Sequence, residues 1–281
     1  MSPDAQILGF GLGLRAPHYD TVLAQPVAVD WFEILSENYM EAHPGYWELL
    51  ADIRARYPLV MHGVAMNIAG TDPMNTAYIA KLKALVAHVR PVFLSDHLCW
   101  TGTHGIHTHD LLPVPYTEEA LQHVCARVDR VQQMLGLQLV LENPSTYLQF
   151  VASEMPEEVF LARLAERTGC GLLIDVNNVY VSAFNHGFDA KAYIDAIPAQ
   201  AVAYIHLAGH THHGTHIVDT HNAVVAAAVW ELYRYTLQRN GMIPTMIEWD
   251  GDIPAFDVLL GELDRARAIA QPFLPALREA V

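Results

Sequence analysis

The chain has 281 residues, 52% of them hydrophobic and only 17% charged. That composition excludes a disordered segment or a solvated charge-rich rod and supplies enough apolar material for a large core. With 16 Lys and Arg against 31 Asp and Glu, the net charge of −15 has the wrong sign for wrapping nucleic acid, so no nucleic-acid partner is expected.

From the N-terminal end, short apolar runs alternate with longer helical patterns. Leu8–Leu14 predicts the first strand, followed by a weak helical stretch around His18–Gln25. Trp31–Glu37, Leu59–Ala65 and Val92–Leu98 predict the next three strands, and Thr101–Tyr116 reads as an irregular, exposed loop rich in His. Thr117 is the expected cap of a helix with Glu118 and Glu119 in its first turn and Gly136 at its end. Leu137–Asn143 is the fifth strand. Pro156, beside Glu157 and Glu158, opens a helix that Gly169 ends. Gly171–Val176 is the sixth strand, and Val176–Asp189 reads as a second irregular stretch. Ala201–Ala208 is the seventh strand, after which Asn222 is the expected cap of a helix reaching Asn240–Gly241. Pro244–Asp250 is the eighth strand, and Pro254 opens a last helix to about Ala270.

Most of these runs lack alternation, as strands buried on both faces do. Strand then helix, eight times over, predicts an α/β fold, a single (β/α)8 TIM barrel over residues 1–281; such barrels commonly run to roughly 250 residues as one domain. A doubly wound open sheet is the alternative. Gly9, Gly11 and Gly13 alternate along the first strand, but no GxGxxG follows, so a dinucleotide is not expected. Cys99, Cys125 and Cys170 form no CxxC pair, which fits a reducing compartment and offers no thiolate-rich zinc site. No secretory pattern and no apolar run of roughly 18 residues is visible, so a soluble, cytoplasmic protein without a membrane partner is expected.

The strand ends carry the chemistry. They hold His62, Asp96 and His97, Glu142 and Asn143, Asp175, His206, and Glu248, Trp249 and Asp250; Asp219 and His221 follow the seventh strand. In a barrel, these ends converge on one rim. Each His alone is more readily a hydrogen-bonded structural residue than a ligand. Six strand ends of one polar kind at one rim are not explained by packing. Carboxylates could not crowd there unpaired, since burying each charge costs several kcal/mol, whereas divalent cations remove the difficulty. Imidazole and carboxylate without thiolate suit iron, manganese or zinc, and the number of donors exceeds what one ion needs. Glu142, central in chain order, is a natural bridging carboxylate. Cys99 reads as core filler. His43, His88 and His123 read as surface residues, and Trp100, Trp249 and Tyr147 suit either a substrate wall or the core.

The ligand order His62, His97, Glu142, Asp175, His206, Asp219, His221, Glu248 resembles the trinuclear site of the endonuclease IV and xylose-isomerase-like barrels. One departure is Asn178, where the endonuclease pattern has His. A closer resemblance covers nearly the whole chain. Trp31-Phe32-Glu33-Ile34-Leu35-Ser36-Glu37-Asn38, Leu94-Ser95-Asp96-His97-Leu98, Glu142-Asn143-Pro144-Ser145, Asp175-Val176-Asn177-Asn178, Asn185-His186-Gly187-Phe188-Asp189 and Ile247-Glu248-Trp249-Asp250 are similar to the multinuclear non-heme iron-dependent oxidases, the family of the methanobactin-biosynthesis oxidases. That resemblance implies two or three irons and oxidation, with dioxygen, of cysteines in a ribosomally made precursor peptide, often with a small leader-binding partner protein. It further implies one iron held by His62, His97 and Glu142, and a neighbour held by Glu142, Asp175, His206 and Glu248. Asn178, His186, Asp219 and His221 would lie around a third. Asn143 and Asp96 would support the ligands. Two other readings remain open: a metal-dependent hydrolase or isomerase acting on a phosphodiester or sugar, and a non-catalytic metal- or peptide-binding protein.

Overall fold

A computed structural model describes residues 8–274. In chain order the elements begin with β1 (Phe10–Gly13), α1 (Tyr19–Ala24), β2 (Trp31–Leu35), α2 (Glu37–Met40), α3 (Pro44–Arg54), β3 (Leu59–Gly63) and α4 (Thr76–Val89). β4 (Leu94–His97) is followed by a hairpin, β5 (Trp100–Thr103) and β6 (Ile106–Leu112), and then α5 (Glu118–Leu135). Next come β7 (Leu139–Glu142), α6 (Glu157–Thr168), β8 (Gly171–Asp175), α7 (Val176–His186) and α8 (Ala190–Ala196). β9 (Val202–Leu207) leads into a second hairpin, β10 (His210–His212) and β11 (Ile217–Asp219), then α9 (Ala227–Asn240), β12 (Thr245–Ile247) and α10 (Phe256–Ala270).

The eight strands expected from sequence close in the order β1-β12-β9-β8-β7-β4-β3-β2, every neighbouring pair parallel. This is the TIM-type barrel. Strand residues point alternately to two cores. One parity (Leu59 and Met61, Leu139 and Leu141, Leu172 and Ile174) packs outward against the helices. The other parity fills the barrel interior with Trp31, Val60, Phe93, Val140, Leu173, Tyr204 and Met246. Two residues further along these strands stand Glu33, His62, Ser95, Glu142, Asp175, His206 and Glu248, all buried. An apolar plug therefore fills the lower barrel and a polar layer caps it.

The alternating glycines of β1 have a steric reason. A Cβ on Gly11 would lie 2.4 Å from the Trp31 ring, and one on Gly13 would meet the Arg15 guanidinium at 2.8 Å. The spacing accommodates neighbours rather than a phosphate.

Three sequence expectations need correction. Thr101–Tyr116 is not irregular: Trp100 to Leu112 form an antiparallel hairpin, its outer strand largely exposed. Val176–Asp189 is mostly helix. Asp175 caps it by accepting from the Asn178 N–H, and Gly187 ends it at φ +76°, signals hidden by the weak helix formers between. Asn222 does not cap α9, which starts at Ala227; the backbone at His221 has φ +44°, and Ala223 is folded onto Gly209. Thr117 and the ends at Gly136 and Gly169 fall where expected.

Gly11→Ala is expected to overpack the barrel floor against Trp31 and cost about 1–3 kcal/mol. Urea unfolding should show a lower midpoint at unchanged slope.

Candidate metal centre

Three sets of side chains bring donor atoms within 4.8 Å of one another: His62, His97 and Glu142; Glu142, Asp175, His206 and Glu248; and His221, Glu248 and Asp250. Glu142 belongs to two of them. Its Oε2 lies 3.3 Å from His62 Nε2, 3.4 Å from His97 Nε2 and 4.0 Å from His206 Nδ1. His206 Nδ1 is 2.9 Å from Glu248 Oε2, and His221 Nε2 is 2.7 Å from Asp219 Oδ1.

The third group differs from the expected one. Asp219 and His221 do meet, and Asn178 reaches the cluster, donating from Nδ2 to Glu142 Oε1 at 3.2 Å. His186 stands elsewhere. It occupies the last turn of α7, and its Nε2 is 2.9 Å from Thr146 Oγ1, outside all three sets. Asp250, at the end of the eighth predicted strand, takes the nearer place. The Arg15 guanidinium donates to Asp250, whose other oxygen lies 3.3 Å from His221 Nδ1.

Three of the four imidazoles are held by the second nitrogen. His62 Nδ1 is bonded to Ser95 Oγ at 2.7 Å, His97 Nδ1 to the Gly63 carbonyl at 3.1 Å, and His206 Nε2 to Glu33 Oε2 at 3.2 Å. Such contacts fix ring orientation and leave the opposite nitrogen facing the cluster. They also connect. Tyr204 Oη lies 2.6 Å from Ser95 Oγ and donates to Glu33 Oε2 at 2.8 Å, so one buried path runs His62–Ser95–Tyr204–Glu33–His206. Glu33, Ser95 and Tyr204 are further functional residues; Ser95 and Tyr204 each sit two residues before a candidate ligand, and Glu33 two residues after the interior-facing Trp31. Asn143 supports as expected, exchanging hydrogen bonds with the Asp175 backbone. Asp96 accepts from the Met66 and His97 backbone N–H groups and bonds no ligand side chain.

Burial pushes the Glu142 carboxyl well above its ordinary value and Asp175 up to about 7. Burial also pushes His62 well below the usual imidazole range and His97 down to about 4, leaving both neutral donors. At His206 burial is outweighed by Glu33 and Glu248, and at His221 by Asp219 and Glu248, so both lie well above it. Those two imidazoles in turn overcome burial to hold Glu248 well below the carboxylate range.

The donor set fits transition-metal cations on an observation independent of any relative. Glu142 Oε2, Asp175 Oδ2 and Asn178 Oδ1 are buried without a hydrogen-bond partner and crowd one space. Buried polar atoms are rarely left so. Above them opens a cup of about 260 Å³ walled by Leu35, Val64, Leu111 and Tyr147. A larger cleft of about 440 Å³ lies at the opposite barrel end, beside Gln138, Gly171 and Ala203, and none of the three donor sets lines it. Cys99 is buried beneath the rim with its thiol pushed well up by burial, as a core residue. The His104, His107 and His109 side chains are exposed.

The profile of the RiPP precursor modification enzyme MbnB/TglH/ChrH family matches residues 9–271. A UPF0276 protein of Anaeromyxobacter sp. (strain Fw109-5) is 50% identical over 274 residues, 98% of this chain and 97% of that one. A UPF0276 protein of Caulobacter vibrioides (strain NA1000 / CB15N) is 48% identical over 92% of this chain and 93% of its own. Among solved structures, endonuclease IV from Thermus thermophilus superposes with TM-score 0.62 at 15% identity, covering 94% of this chain and 99% of that one. A D-psicose 3-epimerase gives 0.58 at 10% identity, covering 95% and 97%. At these identities the solved structures share the barrel fold alone.

Tyr204→Phe breaks the path between His62 and His206 without opening a cavity and is expected to weaken metal binding about 10- to 100-fold, read by competition with a chelator. The metal-free protein should lose stability as pH rises above about 6.5, because His206, His221 and Glu142 keep protons in the fold that the unfolded chain releases. Below that pH, the depressed His62 and His97 oppose the raised carboxylates. Metal requires deprotonated ligands, so the rise in Tm on adding metal should grow from about pH 6 to about pH 8. A rise that shrinks over that range would contradict the assignment.

Proposed function

The chain belongs to the RiPP precursor modification enzyme MbnB/TglH/ChrH family, and on that premise we propose that it is a multinuclear iron oxidase modifying cysteine in a ribosomally made precursor peptide. The observation that carries this reading is Glu142, one carboxylate shared by two donor sets with no thiolate among them. His62, His97 and Glu142 would hold one iron, and Glu142, Asp175, His206 and Glu248 its neighbour. Asp219 and His221, with Asn178 alongside, would hold a third. Manganese or zinc would suit the same donors, and the redox reaction selects iron. Bound iron supplies a Lewis-acidic, redox-active centre for a thiolate and dioxygen.

The protein's own contribution is placement. Ser95, the Gly63 carbonyl and Glu33 fix the three imidazoles. The apolar plug below seals the barrel so that reactants enter only from the rim. The cup admits a single side chain, not a folded surface, which suits a cysteine on an extended peptide. Tyr147 closes one side, its hydroxyl accepting from the Asp219 N–H at 3.0 Å. A small partner protein that delivers the peptide leader belongs to this proposal, as does action in the cytoplasm; among the described residues no helix is long and apolar enough to cross a membrane. The hydrolase and isomerase readings have the barrel fold and the metal donors in their favour, but not the family.

Elemental analysis of protein purified without oxygen is expected to find iron, and a Cys-bearing peptide encoded beside the gene should trigger oxygen uptake. Glu142→Ala should strip metal from both sets and lower turnover at least about a hundredfold, and His62→Ala should deplete one set. Normal iron content in both variants would reject the ligand assignment. A tight zinc complement with cleavage of abasic DNA would favour the hydrolase.

A further inference from the structure

A second cavity, of about 290 Å³, lies directly behind the metal cup. One chain segment is the wall between them: Ser145 and Tyr147 line the cup, and Thr146 and Leu148 line the second cavity. The wall is pinned from both sides, by Tyr147 to the Asp219 backbone and by Thr146 to Ser182 and His186. His186, which the sequence grouped with the metals, faces this cavity instead.

Its lining is aromatic and acidic. Tyr116, Phe150, Phe188 and Tyr193 contribute rings, the last two stacked at 5.9 Å and 21°. Glu157 sits among them in the first turn of α6, accepting from the Tyr193 hydroxyl at 3.1 Å, and Glu158 lies beside it. Burial pushes the Glu157 carboxyl up to about 7, against the lowering effect of the Tyr116 and Tyr193 hydroxyls. Among the described residues, no Lys or Arg lines the cavity. Leu148, Phe150 and Phe188 remain partly open to solvent at this face, although exposed aromatics next to a functional rim are not required by folding.

A carboxylate among aromatic faces selects an alkyl cation. The head pairs with the carboxylate and the ring faces, and the stem is buried against the rings. An uncharged side chain would fill the rings and leave the carboxylate facing a tyrosine hydroxyl rather than a cation. We propose that this cavity binds a lysine or arginine side chain of the precursor peptide, and thereby sets a nearby cysteine over the metal cup. The inference rests on the peptide-modification reading above. Because the two cavities flank a single segment, an extended peptide crossing the rim reaches both with residues only a few positions apart.

The test titrates N-acetyl-lysine methylamide and its neutral counterpart, N-acetyl-norleucine methylamide, against the metal-loaded protein by NMR. The lysine compound should bind at least about tenfold tighter. Glu157→Gln should bring the two within about twofold, and Phe150→Leu, which leaves the carboxylate in place, should weaken the lysine compound about threefold or more, with iron content unchanged in both. Equal binding to the unmodified protein, or discrimination that survives Glu157→Gln, overturns the proposal. The same residues placed near cysteine in short peptides separate it from the oxidase reading. Oxygen uptake without preference for lysine sinks the basic-residue cavity and keeps the oxidase. Selective binding with no oxidation of either peptide does the reverse.

Discussion

Three buried carboxylates, Glu142, Asp175 and Glu248, share a space a few ångströms across with His62, His97, His206 and His221, and the rest of the structure is arranged around that crowding. Without cations, the cluster can exist only by protonating some carboxylates and charging some imidazoles, and the opposed shifts across it record that compromise. Multivalent cations replace the compromise with direct coordination. The barrel makes the crowding possible because parallel strands point every second residue inward. On the same parity, Val60 precedes His62, Val140 precedes Glu142, Leu173 precedes Asp175 and Met246 precedes Glu248. Register is thus set by apolar residues and used by polar ones.

Support for the cluster is also shared. His62 and His206 stand in different donor sets but are held through the one chain of Ser95, Tyr204 and Glu33. Tyr204 belongs at once to the plug, its ring stacked on Phe93 at 5.4 Å, and to the polar layer through its hydroxyl. Packing beneath the site and ring orientation within it are therefore one problem, joined at a single side chain. Arg15 does the same work at the other edge, holding Asp250 against His221.

Much of this was legible in the residues. The eight strands are marked by short apolar runs and their ends name the donors, while the grouping of those donors around Glu142 is what the family resemblance implies. What escaped has physical causes. Asn177, Asn178 and Tyr180 are weak helix formers, so α7 was hidden although Asp175 and Gly187 marked both its ends. Alternating His and Thr in 104–109 look like a polar loop because a solvent-exposed hairpin has no apolar face to betray it. His186 joins the third group only through the family motif, and its bond to Thr146 Oγ1 holds it outside the three donor sets. Glu33, Ser95 and Tyr204 sit mid-strand, where polar residues look like exceptions to a core until the interior is seen to be polar above the plug.

The two rim hairpins, β5–β6 and β10–β11, are sheets of their own, each bonded strand to strand and hung from the end of a barrel strand. Neither shares a ladder with the barrel. β5–β6 can change length or surface character during descent without disturbing the donor cluster beneath, whereas β10–β11 is tied to it through Asp219. In such a scaffold the reaction is inherited with the barrel, while the choice of client is free to drift in the appendages.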